Sequence, residues 1–96
     1  MKQAILLEPG QVEYNDVEIP DFNENEVLLS IKKMGICGSD IHVFHGKHPY
    51  TSYPIVQGHE IMAIVHKVGA KVRDIFVGDR VTVMPQIYCG KCYQCK

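Results

Sequence analysis

The run Cys89-Gly-Lys-Cys92-Tyr-Gln-Cys95 constrains this 96-residue chain more than any other feature. Three of the four cysteines fall within the last eight residues. Two-residue gaps fold the backbone into a tight knuckle whose sulfurs converge on one point, as a structural zinc ion or an iron–sulfur cluster requires. A thioredoxin-like redox pair would instead open a helix after a strand in a βαβ unit, and no such unit surrounds the triplet. The opening MKQAILLEPG carries one lysine and a short apolar patch broken by Glu8 and Pro9, which does not read as a secretory leader. The cytoplasm is therefore the expected compartment, where thiols stay reduced and clustered cysteines serve as ligands rather than as a disulfide framework. A closed tetrahedral site takes four ligands, so three local cysteines leave one to come from elsewhere.

Composition narrows the function classes. Apolar residues make up 46% and charged residues 22%, which is ordinary for a globular chain. A net charge of −1 and the lack of a basic stretch argue against nucleic acid. No apolar run reaches the roughly 18 residues of a membrane span. A chain this short buries a modest core and often relies on a metal or a partner.

The pattern along the chain is mostly β. Gln3–Leu7 is an apolar run stopped by Glu8-Pro9-Gly10, and Gln11–Ile19 reads as a more exposed strand closed by Pro20. In Glu26–Met34, Val27, Leu29 and Ile31 share one face at period two, opposite Leu28, Ser30 and Lys32. Ile61–Val68 is a further β-rich run, and Arg80–Met84 follows the Gly78-Asp79 turn. Phe22 and Phe76 are expected in the core, and His66 on an outward strand face. One short helix is expected, capped by Ser39 or Asp40, running through Ile41–Phe44 and ended by Gly46. Residues 46–57 form a long loop. Five or six short strands suggest a small barrel or sandwich.

A second constellation precedes the triplet. Cys37 lies between glycines in Gly35-Ile-Cys-Gly-Ser-Asp40, and Gly58-His59-Glu60 opens the later strand. One thiolate, one imidazole and one carboxylate suit zinc, and a catalytic site uses three protein ligands while keeping one position open. Ser39 and His42 follow Cys37 closely enough to pass a proton from a bound alcohol to water. Asp40 can accept the spare ring N–H of His59. Ser39 and Asp40 can equally serve as helix caps. His45, His48, Tyr50 and Tyr53 either line a polyol pocket or belong to a solvated loop.

These residues resemble a known family. Gly35-Ile-Cys-Gly-Ser-Asp-Ile-His42, Gly58-His-Glu60, Gly78-Asp-Arg-Val81 and the cysteine triplet stand in the order found in zinc-dependent medium-chain alcohol and polyol dehydrogenases, closer to the sorbitol, threonine and sugar-acid branch. The resemblance implies a mainly β fold, a partly open GroES-like barrel with one short helix and the start of a zinc knuckle. By position it implies that Cys37 and His59 bind the catalytic zinc, with Glu60 a ligand or near-ligand. Ser39 and His42 become the proton relay, and Asp40 orients His59. Cys89, Cys92 and Cys95 become three of four ligands of a structural zinc. Where the family pattern has glycine three residues past the glutamate, this chain has Ala63.

No Gly-x-Gly-x-x-Gly occurs, so NAD or NADP binding is expected outside residues 1–96. The chain then corresponds to the N-terminal part of a GroES-like catalytic domain, inactive alone. Its parent would oxidise alcohols, polyols or sugar-derived hydroxyls as a homo-oligomer. The competing reading is a small zinc-binding structural or interaction module that completes its cysteine site with a ligand from another chain. A co-chaperonin subunit sharing the barrel gains nothing from the cysteines.

Overall fold

The computed structural model describes all 96 residues. Five strands and one helix follow in the order β1 (Lys2–Glu8), β2 (Gln11–Asp16), β3 (Val27–Gly35), α1 (Gly38–Phe44), β4 (Glu60–Val68) and β5 (Arg80–Thr82), and a short 3-10 helix spans Tyr93–Cys95. β1 and β2 form an antiparallel hairpin with Lys2 opposite Asp16 and Leu6 opposite Val12. β2 ends three residues before the expected Ile19, because its ladder follows β1 and closes with the Val17 N–H on the Met1 carbonyl.

The other sheet is antiparallel in the order β3-β4-β5. Its register shifts between Leu28 and Leu29 and again between Ile31 and Lys33. Such irregularities rotate side chains off the period-two pattern. Ile31 lies between the two shifts and pairs with Ala63, on the face that Leu29 and Val65 share, yet it is 52% exposed. Ala63 is fully buried, paired with Ile31 of β3 and Val81 of β5. Its methyl group is thus accommodated in the ladder, next to the second register shift.

Outside its hairpin, β1 also pairs with the loop before β4: Leu6 and Ile55 exchange backbone hydrogen bonds of 2.8 and 2.9 Å. Buried apolar side chains are few: Leu6, Val43, Ala63 and Val65. α1 begins earlier than expected. Cys37 is its N-cap, and Asp40, in the first turn, reaches back so that its carboxylate accepts the Cys37 N–H at 3.1 Å. Ser39 therefore lies inside the helix rather than capping it. Gly46 leaves the helix at φ +73°, a conformation that glycine adopts without strain. The Tyr53 hydroxyl donates to the Val43 carbonyl at 2.6 Å and fastens the following loop to α1.

Phe22 is half-buried, but Phe76 is 65% exposed, contrary to the expected core position. The Phe76 N–H donates to the Asp79 carboxylate and the Asp79 N–H returns to the Phe76 carbonyl, which keeps this residue in a surface turn. His66 faces outward on β4 as expected. The architecture is mainly β, with one helix and open sheets, as the resemblance implies. No helix is long and apolar enough to cross a membrane.

Candidate metal centres

The end of β3, the start of α1 and the start of β4 converge on one place. Gly35 pairs with Glu60 across the two strands, which puts Cys37 and His59 just beyond the ends of the ladder. Cys37 Sγ lies 3.2 Å from His59 Nε2. Tetrahedral zinc with a sulfur at about 2.3 Å and a nitrogen at about 2.0–2.1 Å holds such a pair roughly 3.5 Å apart, so the donors fit a shared ion with a small adjustment. On the far side of the ring, His59 Nδ1 faces Asp40 Oδ1 at 3.6 Å. Asp40 is the better buried of the two, with a side chain 14% exposed against 35% for His59. The candidate ligand atoms of Cys37, Asp40 and His59 all fall within 4.8 Å of one another.

Two glycines make this approach possible. A Cβ on Gly35 would stand 2.8 Å from Glu60 Oε2. Gly58 has φ +123° and packs against the Met34 sulfur. That conformation turns the chain so that His59 points back toward α1.

The sequence-expected residues divide into two groups. Ser39 joins the cluster, with Oγ 2.9 Å from Cys37 Sγ. Glu60 is exposed and lines an open cleft of about 640 Å³ with Lys33, His59, Thr82 and Gln86. It is not among the grouped donors. His42 is exposed on α1, and no hydrogen bond joins it to Ser39. His48 accepts from Thr51 at 2.8 Å within its own loop. Gln57 was not singled out by any sequence pattern, yet its side-chain amide donates to the Asp40 carbonyl at 3.2 Å and to Asp40 Oδ1 at 3.4 Å.

The cysteine triplet forms a separate cluster. Cys89 Sγ lies 3.6 Å and Cys92 Sγ 3.4 Å from Cys95 Sγ. A zinc ion with Zn–S of about 2.3 Å spaces tetrahedral thiolates by roughly 3.8 Å, whereas a disulfide draws sulfurs to about 2.05 Å. All four cysteines are free thiols, and the spacing fits three ligands of one ion. Gly90 at φ +73° supplies the turn. The backbone N–H groups of Lys91 and Cys92 each point at Cys89 Sγ at 3.4 Å. They hold the Cys89 thiol down to about 7, the Lys91 amide contributing most, with smaller help from Cys95 and Cys92. Donors aimed at a sulfur favour its thiolate, the form that binds metal.

Residues 23–96 match the model of the alcohol dehydrogenase GroES-like domain. The chain belongs to this family. It is 44% identical over 95 residues to a zinc-type alcohol dehydrogenase-like protein of Haemophilus influenzae, covering 97% of this chain and 28% of that protein. It is 40% identical over 96 residues to the L-galactonate-5-dehydrogenase of Escherichia coli, covering 100% of this chain and 28% of that enzyme. Among solved structures, an Escherichia coli short chain alcohol dehydrogenase complexed with NADH superimposes with a TM-score of 0.85 at 41% identity, over 99% of this chain and 27% of that one. The chain thus spans a little over a quarter of the length of these relatives.

Proposed function

We propose that residues 1–96 are the N-terminal part of the catalytic domain of a longer zinc-dependent, NAD(P)-linked dehydrogenase acting on the hydroxyl of an alcohol, polyol or sugar-derived substrate. The observation that carries this reading is the Cys37–His59 pair, with donors 3.2 Å apart and a carboxylate behind the ring. Its separation from a second, all-cysteine cluster supports one catalytic and one structural metal.

In this reading Cys37 and His59 hold the catalytic zinc, and Asp40 keeps the His59 ring turned with Nε2 toward the metal. Zinc, when bound, supplies Lewis-acid polarisation that lowers the pKa of the substrate hydroxyl. Ser39 Oγ, 2.9 Å from the Cys37 sulfur, stands where it can accept the substrate's proton. Exposed His42, one helical turn on, passes that proton to water. Glu60 closes the other side of the pair as a near-ligand. Cys89, Cys92 and Cys95 bind a structural zinc that fixes the segment after β5. The nicotinamide dinucleotide binds to residues of the parent protein outside this chain, and that protein works in the cytoplasm as a homo-oligomer.

Ser39→Ala in the full-length protein tests the relay. Proton transfer by a positioned group contributes about 10²–10⁴-fold, so alcohol-dependent NAD(P) reduction should fall at least about a hundredfold with zinc content unchanged. Unchanged turnover would refute the role of Ser39.

A further inference from the structure

We propose that Gln57 is the positioning residue that fixes the Asp40 carboxylate, and through it the His59 imidazole, for metal capture. The proposal rests on the Cys37–His59 pair being a zinc site. Asp40 divides its two carboxylate oxygens. Oδ2 accepts the Cys37 N–H at 3.1 Å, and Oδ1 faces His59 Nδ1 at 3.6 Å. The second oxygen is too far from the ring for a strong hydrogen bond, so nothing at the ring itself stops the carboxylate from turning about χ2. Gln57 supplies that restraint. Its Nε2 group reaches Asp40 twice, at the main-chain carbonyl and at Oδ1. Both partners are acceptors, so only the amide nitrogen of Gln57 satisfies them.

The chain geometry makes this a closed clamp. Gln57, Gly58 and His59 are consecutive, and Gly58 at φ +123° reverses the backbone between them. Both flanking side chains therefore return to the same residue, Asp40, one by its amide and one by its ring. Gln57 and Asp40 also border an apolar cavity of about 480 Å³ lined by Leu6, Met34, Ile41 and Phe44. In so apolar a setting a polar contact is less diluted by water, and Gln57 is the one side chain that donates to the Asp40 carboxylate within hydrogen-bond distance.

The test uses the full-length protein. Zinc affinity is measured by chelator competition for wild type, Gln57→Leu and Gln57→Lys, each alone and with Asp40→Ala. Partners one shell beyond a ligand change metal affinity by about 10–100-fold. Gln57 acts one step further out, so Gln57→Leu should weaken the Cys37–His59 site about threefold to tenfold. Gln57→Lys, which keeps a donor, should stay near wild type. In the Asp40→Ala background Gln57→Leu should add almost nothing, since the group it positions is gone. Zinc at the Cys89–Cys95 cluster should not change, which reports that each variant is folded.

A metal-free readout accompanies these. Nitrogen NMR of the His59 ring should show Nδ1–H as the dominant tautomer in wild type and a mixture in Gln57→Leu. Unchanged affinity together with an unchanged tautomer in Gln57→Leu overturns the proposal. Additive losses in the Asp40→Ala background overturn it as well. If wild type takes up no zinc at Cys37–His59 while the tautomer still responds to Gln57, the zinc reading fails and the positioning role stands.

Discussion

Gly58→Ala probes how the fold delivers His59. Gly58 has φ +123°, a region that L side chains rarely adopt. Forcing a residue with a Cβ into such backbone costs about 1–3 kcal/mol. The new methyl would also collide with Met34, overlapping its sulfur and standing 2.8 Å from its Cε. Met34 is 49% exposed and flexible, so it can swing away, at a cost of roughly 1 kcal/mol as mild overpacking. The expected loss is therefore about 2–4 kcal/mol. Part of the strain should also be relieved by displacing His59, whose ring nitrogen must stay close to Cys37 Sγ. A misplacement of about 1 Å at a reacting centre costs on the order of a hundredfold in rate. The assay is urea unfolding of the full-length protein, read beside zinc content and alcohol oxidation. Adding Met34→Ala should recover the steric part and leave the backbone part. Stability within about 0.5 kcal/mol of wild type for Gly58→Ala alone, or complete rescue by Met34→Ala, would show that the positive φ at Gly58 imposes no backbone strain.

Two other perturbations give sharp expectations. Val65 is 1% exposed on β4, so Val65→Ala should lower stability by about 2–3 kcal/mol in urea unfolding, through lost burial and the cavity left behind. In metal-free protein, the amides of Lys91 and Cys92 hold the Cys89 thiol at about 7 against an ordinary 9.0. Its alkylation by iodoacetamide should then rise with pH to a half-maximum near 7 and level off above it. Added zinc should suppress the reaction, and a half-maximum near 9 would show that the amides do not favour the thiolate.

Much of the fold is legible in local pattern. β1, β3 and β4 follow their apolar runs because those runs supply the side chains that the sheets bury. What escapes is what pairing decides. β2 stops at Asp16 because β1 sets the length of the hairpin, and the two register shifts of the β3–β4 ladder leave no mark in the apolar pattern. The helix cap differs from the pattern for a related reason. Ser39 and Asp40 are strong capping residues by type, but Asp40 acts from inside the first turn and leaves the cap to Cys37.

The metal centres are equally mixed. The cysteine knuckle is encoded by sequence-local spacing, and the contact of Cys37 with His59 across 22 residues is suggested by the glycines that flank them. Gln57 carries no such signal. A glutamine in a loop is usually solvated, and its role depends on a turn at Gly58 that brings it back onto α1.

The most direct test of the central claim is zinc stoichiometry in the full-length protein, measured by elemental analysis together with activity. Two zinc ions per chain are expected. His59→Ala should keep one and lose alcohol oxidation, and Cys92→Ser should lose the other while destabilising the fold. A wild-type protein with one zinc, or a His59→Ala variant that keeps two and still turns over, would contradict it.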